Sequence, residues 1–187
     1  MTRFDKLSRA RSQRDQYLVI QALTLTVRVP SATLELVDIY FDTRKDDFED
    51  GRALLARAEA YLSMEKLPEA IQSYKDVLAR EAEFPRYRTR TYLDLPYLIA
   101  SRGVASEYEF ALSVLADGLD DKAFPRDVFL WRAANALIAS EQGRRDDSAD
   151  HAKKAIEVAG ENGRVAKAGL WPNADRQIYG VNVCFFN

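Results

Sequence analysis

Residues 51–84, GRALLARAEAYLSMEKLPEAIQSYKDVLAREAEF, are the stretch that decides the fold. Apolar or small residues recur at steps of three or four in each half of it: Leu54, Ala58 and Tyr61, then Ala70, Tyr74 and Val77. This spacing places each set on one stripe of an α-helix. A short connection separates the two stripes, and Pro68 follows it where the first turn of a helix loses nothing by lacking an N–H. The stretch therefore predicts a helical hairpin.

The pattern of the second helix recurs along the chain. Alanine, then a large apolar residue four positions later, then an apolar or small residue three beyond, is found at Ala32, Leu36 and Ile39; Ala70, Tyr74 and Val77; Ala111, Leu115 and Gly118; and Ala152, Ile156 and Ala159. The alanines lie 38, 41 and 41 residues apart. A small side chain lets paired helices approach closely, while the larger ones fill the space between hairpins. The repeat predicts an all-α domain of four stacked hairpins over residues 1–159.

At residues 51–84 the chain resembles the tetratricopeptide-repeat family. Five residues stand at the family's tryptophan, glycine, tyrosine, alanine and phenylalanine positions, in this order: Leu54, Ala58, Tyr61, Ala70 and Tyr74. Arg57 replaces a leucine, and Ala82 occupies the place of the closing proline, with Pro85 three residues later. The other units match less closely. The resemblance implies a right-handed superhelix of about four antiparallel helical hairpins, which binds a partner segment in a concave groove and is not an enzyme.

Two segments leave the local structure open. Residues 23–29 alternate apolar and polar side chains, which is typical of a strand, whereas alignment with the later hairpins favours a helix over residues 17–29. Pro96 lies inside the predicted first helix of the third hairpin, where it cannot donate a helical hydrogen bond. That helix is therefore expected either to be kinked or to begin near Asp94.

The composition changes near the end of the chain. Four of the eight glycines fall in the last 28 residues, which disfavours another hairpin. We therefore expect an irregular C-terminal cap or tail over residues 160–187, with Gly143 and Gly160 at helix ends. Two alternatives stay open for this tail: it covers the exposed end of the last hairpin, or its apolar residues join two copies of the chain in a homodimer.

Composition argues against several classes of function. The chain carries 27 basic and 29 acidic side chains, a net charge of -2, which argues against a nucleic-acid binder. One cysteine, Cys184, and one histidine, His151, leave no disulfide and no evident metal cage, since Asp147 and His151 supply only two ligands. Glycine loops that bind phosphate are absent, so no cofactor is expected. The apolar stretch 17–29 is too short to span a bilayer, and we expect a cytoplasmic protein.

Three arginines suggest where a partner would bind. Arg14, Arg52 and Arg90 are 38 residues apart, at the same point of the first helix in successive hairpins. In solenoids the first helices line the concave surface. The residues predicted to share that surface are Arg14, Tyr17, Gln21, Arg52, Leu55, Glu59, Leu62, Arg90, Leu93 and Tyr97. Because arginine holds carboxylates bidentately, the predicted partner is a protein or peptide with acidic groups. The acidic residues between 42 and 50 are expected to form a solvated loop and a helix N-terminus.

Three functions therefore compete. The first is a non-enzymatic adaptor that binds a partner segment in the groove. The second is a self-associating structural module that uses the apolar tail or residues 23–29. The third is a helical enzyme without a recognisable motif, which would use carboxylates such as Glu59 or Asp94.

Overall fold

The computed structural model describes residues 3–116, 118–119 and 123–167, which contain eight α-helices and no strand. The helices are α1 Arg3–Leu25, α2 Pro30–Thr43, α3 Asp50–Ser63, α4 Leu67–Glu83, α5 Thr91–Ser101, α6 Tyr108–Leu115, α7 Pro125–Glu141 and α8 Arg145–Lys167. The predicted all-α class is confirmed, and residues 17–25 are helical rather than extended. None of these helices has both the length and the apolar character needed to cross a membrane. The predicted tail from residue 168 onward, with Cys184, lies outside the described residues.

The chain divides into two compact units between Thr91 and Tyr92. In the first unit α1 packs against α2, and α3 packs against α4, with only residues 26–29 and 64–66 as connections. Consecutive packed helices joined by so few residues run antiparallel. Both α1 and α2 also contact α3. Two hairpins thus lie side by side around one core, formed by Val19, Ala22, Val37, Tyr40, Ala53 and Ala56.

In the second unit α6 packs against α7, and α7 packs against α8. Residues 142–144 alone connect α7 to α8, so these two helices form a further antiparallel hairpin. Helix α8 begins seven residues before Ala152, the alanine that the repeat places in the second helix of the last hairpin. The predicted repeat unit is therefore displaced here, although the hairpin itself is present.

Helix α5 is buried over most of its surface, as its largely apolar sequence requires, with Tyr92, Asp94 and Ser101 half-buried. It begins at Thr91, so the alternative start near Asp94 is wrong. Thr89 Oγ1 accepts the backbone N–H of Thr91 at 3.2 Å, which satisfies one of the N–H groups that a first turn leaves free. Pro96 consequently lies inside the helix, where burial of its ring offsets the hydrogen bond that it cannot donate.

A small residue occupies the fourth position in the second helix of each predicted hairpin. These residues are Thr33 in α2, Ala70 in α4, Ala111 in α6 and Ser148 in α8. The predicted register is confirmed for Ala70 and Ala111, which are fully buried. It is wrong in α2, where Ala32 lies one residue too early, and in α8, where Ala152 lies four residues too late.

Hydroxyl groups explain why the alanine pattern failed in α2 and α8. Thr33 Oγ1 donates to the backbone carbonyl of Ala22 on α1 at 3.0 Å, and Ser148 Oγ donates to that of Ala136 on α7 at 3.0 Å. A hydroxyl that bonds to the facing helix permits the same close approach as a methyl group. In α2 the buried residues are accordingly Thr33, Val37 and Tyr40, whereas the predicted Ile39 is 43% exposed.

Gly143 and Gly160 differ in what they do to a helix. Gly143 follows the end of α7 with a φ of 73°, as predicted for a helix stop. The stop predicted at Gly160 is wrong, because α8 continues to Lys167. A glycine with ordinary helical dihedrals lowers helix propensity by about 1 kcal/mol but does not end a helix by itself.

Candidate partner-binding surface

Arg14, Tyr17 and Gln21 lie together on the exposed face of α1. Their spacing of three and four residues places them on one stripe. Val19 and Ala22 occupy the opposite side of the helix and are buried in the core of the first unit. Tyr17 is 64% exposed, so its ring offers a large contact area to a partner.

A second stripe lies on the neighbouring helix α3. Leu55, Glu59 and Leu62 are half-buried, while Ala53 and Ala56 on another side of α3 pack into the core. Because α1 and α3 contact each other, the two stripes belong to adjacent helices. We call the exposed and half-buried residues of these two stripes the α1/α3 face: Arg14, Tyr17, Gln21, Leu55, Glu59 and Leu62.

The predicted row of three arginines does not present three accessible charges. Arg52 Nη1 lies 2.8 Å from Glu49 Oε2, and Glu49 is only 4% exposed. Arg90 is half-buried, with its Nε and Nη2 atoms fully covered. Arg14 alone of the three is exposed. Acidic residues are favoured at the start of a helix, and Arg52, in the first turn of α3, is paired with one of them, Glu49.

Leu93 and Tyr97 are part of the protein interior rather than of a surface. Their exposed fractions are 1% and 8%, and both lie among the buried residues of α5. Burial also raises the pKa of the Tyr97 hydroxyl. The prediction that Leu93 and Tyr97 line a groove is therefore corrected, because both side chains pack in the protein interior.

A cavity of about 230 Å³ opens beside the start of α3. Its walls come from the segment before α3, the first turn of α3 and the end of α4: Asp47, Phe48, Gly51, Arg52, Arg80, Glu81 and Phe84. Phe48 and Phe84 remain 55% and 43% exposed. Of the residues of the predicted groove, Arg52 lines this cavity. Two aromatic rings and several charged groups thus surround an open space within the first unit.

Arg80 forms a rigid wall of this cavity. Its Nη2 lies 2.8 Å from Asp47 Oδ2, and its Nη1 lies 3.0 Å from Glu83 Oε2. Its guanidinium carbon lies 3.7 Å from the centroid of the Phe84 ring. These contacts hold the guanidinium in place, so the cavity wall is formed before any ligand arrives.

Asp50 anchors the base of the site through partners on two other helices. The Tyr40 hydroxyl donates to Asp50 Oδ1 at 2.9 Å, and Arg44 Nε lies 2.9 Å from the same oxygen. Arg80 Nε lies 3.9 Å from Oδ2. Burial, reinforced by the Asp50 carboxylate, raises the pKa of the Tyr40 hydroxyl far above its usual value, so it stays a donor. Asp50 begins a helix and Asp46 and Asp47 are exposed, as expected, but Glu49 and Asp50 are buried rather than solvated, at 4% and 8% exposed.

Glu81 supplies a buried carboxylate to the cavity. Its side chain is only 4% exposed, although it lies in the amphipathic helix α4. Oε1 accepts the backbone N–H of Thr89 at 2.5 Å. Oε2 is also buried, and no group in the described part of the chain donates a hydrogen bond to it. A buried carboxylate oxygen without a donor is costly, so this atom can gain strongly from a ligand.

The second unit contains the only histidine. His151 lies against Trp131, with ring centroids 5.4 Å apart, and its Nδ1 is 3.3 Å from Arg132 Nη1. Burial, and then the nearby positive charge of Arg132, lower the pKa of His151. Asp147 instead pairs with Arg144 at 2.8 Å. Within the described ranges, no three His, Cys, Asp or Glu side chains are arranged to hold a metal ion.

Four residues that line the cavity were not predicted from the sequence: Phe48, Arg80, Glu81 and Phe84. Phe48 and Phe84 are 36 residues apart and line one cavity only because α3 and α4 fold back on each other. One feature of the sequence points to this site: Glu81 falls four residues after Val77 and so lies on the apolar stripe of α4. An acidic residue at a core position indicates either a buried partner or a site.

No family model, curated protein or solved structure matches the chain. The likeness of residues 51–84 to the tetratricopeptide pattern therefore stays a prediction. The function must be inferred from the geometry of the chain itself.

Proposed function

We propose that this protein is a non-enzymatic interaction module of the cytoplasm that binds a segment of a partner protein on the α1/α3 face. The observation that supports it most is the stacking of two consecutive hairpins whose first helices are in contact. Repeated hairpins stacked in this way make extended surfaces for binding. The proposal includes a right-handed superhelix of tetratricopeptide type, in which α1 and α3 line the concave side.

The residues of the α1/α3 face suit a peptide. Tyr17 contributes a rigid aromatic ring, which loses little conformational entropy on binding. Leu55 and Leu62 add half-buried apolar area on the adjacent helix. Gln21 and Glu59 can hydrogen-bond to the backbone of an extended segment. Together they provide an aromatic anchor with polar groups around it, as protein interfaces commonly do.

Photo-crosslinking tests this surface directly. Benzoylphenylalanine placed at position 17 is expected to link the protein covalently to a partner in cell extract. The same group at position 39 serves as a control, because Ile39 is also exposed, at 43%, but lies on the second helix of its hairpin. Equal crosslinking to the same partner from both positions would show that the α1/α3 face is not the binding surface.

A pair of substitutions provides a second test. Tyr17→Ser combined with Arg14→Glu should abolish capture of the crosslinked partner while leaving thermal stability unchanged, since both side chains are exposed. Ile39→Ser is the matched control and should retain capture. Arg52→Glu is unsuitable, because it would place a third carboxylate beside Glu49 and Asp50 and so destabilise the fold.

A further inference from the structure

We propose that the cavity beside the start of α3 receives a basic side chain, lysine or arginine, from the bound partner segment. This rests on the proposed function for the source of the side chain. The kind of side chain that fits the cavity is inferred from the residues that line it. Three features support a cation: a buried carboxylate oxygen that lacks a donor in the described part of the chain, two accessible aromatic rings and two lining arginines that carboxylates already engage.

The buried carboxylate provides the directional contact. Glu81 Oε2 is enclosed and receives no hydrogen bond from the described part of the chain, whereas Oε1 is engaged by the Thr89 N–H. The guanidinium of Arg80 is engaged by Asp47, Glu83 and Phe84. An ammonium or guanidinium group from a ligand would give Glu81 both a donor and a counter-charge.

The aromatic rings accommodate the rest of such a side chain. Phe48 is 55% exposed, and its ring can pack along the methylene stem of lysine or arginine or lie beneath the cationic head. Arg80 already stacks on Phe84 in this way, at 3.7 Å. The cavity of about 230 Å³ has the volume of several water molecules, at about 30 Å³ each, and therefore holds one long side chain.

The charged groups that line the cavity are two carboxylates, Asp47 and Glu81, and two guanidinium groups, Arg52 and Arg80. Both guanidinium groups are engaged by carboxylates, Arg52 by Glu49 and Arg80 by Asp47. Glu81 Oε2 receives no hydrogen bond within the described part of the chain. A cation therefore gains a contact at Glu81, whereas an acidic side chain, which the arginine spacing in the sequence had suggested, would compete with the carboxylates that already hold the two arginines.

Titration with short peptides tests the assignment on the full chain. The probes are N-acetylated, C-amidated Gly-Gly-X-Gly-Gly peptides in which X is arginine, lysine, glutamine or glutamate. In ¹H–¹⁵N spectra, the arginine and lysine peptides should shift the Thr89 amide saturably, because that amide donates to Glu81. The glutamine peptide should not shift it. A stronger response to the glutamate peptide would overturn the proposal and favour an anion site.

Two variants locate the effect. Glu81→Gln should weaken binding of the arginine peptide by about tenfold or more, the loss expected for a hydrogen bond to a charged group. Glu69→Gln is the matched control on the same helix, because Glu69 is exposed in the first turn of α4 and does not line the cavity, and it should change the affinity by less than about threefold. Phe48→Ala removes an exposed ring without touching Glu81 and should also weaken binding. Wild-type affinity in Phe48→Ala, or in a folded Glu81→Gln protein, contradicts the proposal.

The two proposals fail in different ways. If benzoylphenylalanine at position 17 captures a partner but no peptide shifts the Thr89 amide, binding on the α1/α3 face is supported and the cation site is contradicted. If the arginine peptide binds through Glu81 but position 17 captures nothing, the cation site is supported and binding on the α1/α3 face is contradicted.

Discussion

Tyr40 and Asp50 join the first hairpin to the second. The Tyr40 hydroxyl, on α2, donates a 2.9 Å hydrogen bond to Asp50 Oδ1 in the first turn of α3. Both residues are buried, with exposed fractions of 1% and 8%. Arg44 supplies a positive charge to the same carboxylate at 2.9 Å, so the buried acid is paired as well as hydrogen-bonded. This contact fixes the start of α3 and hence the cavity next to it.

Tyr40→Phe should destabilise the protein by about 1.5–2 kcal/mol, because it removes one hydrogen bond from a buried charged group while keeping the ring. The free energy of unfolding from urea denaturation measures the loss. Tyr17→Phe makes the same chemical change at a 64% exposed ring and should alter stability by no more than about 0.5 kcal/mol. Equal effects at the two positions would mean that the Tyr40–Asp50 contact contributes nothing.

Thr33→Val tests the corrected register of α2. Valine keeps the shape and the branching of threonine but cannot donate to the Ala22 carbonyl, so we expect a loss of about 0.5–1.5 kcal/mol in unfolding free energy. Thr24→Val removes a hydroxyl that bonds to Ile20 within an exposed turn of α1 and serves as the control. That variant should stay within about 0.5 kcal/mol of the wild type. A larger loss at position 24 than at 33 would argue against Thr33 as the anchor.

Alanine substitutions at two glycines should change stability in opposite directions. Gly143→Ala places a Cβ on backbone with a φ of 73° and should cost about 1–2 kcal/mol. Gly160→Ala adds a methyl group inside α8, where nothing lies within 4 Å of it, and should stabilise by up to about 1 kcal/mol. Thermal or urea unfolding of the two variants distinguishes them. Destabilisation by Gly160→Ala would indicate that α8 stops there.

Acidification should weaken the fold through His151. Because burial and Arg132 lower its folded-state pKa below the ordinary 6.5, the unfolded chain takes up the proton more readily. The stability that neutral His151 contributes is complete above about pH 6.5 and is lost as the pH falls through the folded pKa. Asp150 and Asp147 oppose this shift, while Lys154 adds to it.

The measurement is the difference in unfolding free energy between wild type and His151→Gln at about pH 8 and about pH 5. Glutamine cannot titrate, so the wild type should lose more stability than the variant on acidification. An identical pH dependence of the two proteins would rule out this role of His151.

Periodicity in the sequence was sufficient for the hairpin over residues 51–84. In α4 the predicted stripe of Ala70, Tyr74 and Val77 is buried. In α3 the buried side is formed by alanines, and of the predicted stripe only Ala58 is buried, while Leu54 and Tyr61 are half-buried. The register of α2 and α8 could not be read in the same way. Two helices approach closely where a small residue lies between them, and alanine, serine and threonine are all small enough. A pattern that requires alanine therefore predicts Ala32 and Ala152, whereas the residues at the close contacts are Thr33 and Ser148.

The sequence placed Arg14, Tyr17 and Gln21 on one stripe of α1 through their spacing alone, and that stripe is exposed. Leu93 and Tyr97 are not surface residues, because α5 is apolar along most of its length and such a helix is buried whatever its position in a repeat. Whether Arg52 is accessible depends on Glu49, a neighbour whose burial no repeat alignment reveals.

The amino-acid sequence by itself determined that the described part of the chain is helical, where α4 begins and α7 ends, and which side of α1 meets water. These are local properties, set by spacing, proline and glycine within a few residues. Only the tertiary structure decided that Glu81 is buried beside two phenylalanines and that Asp50 binds Tyr40 and Arg44. Such arrangements depend on distant segments meeting, and the energy of a carboxylate changes with everything that surrounds it.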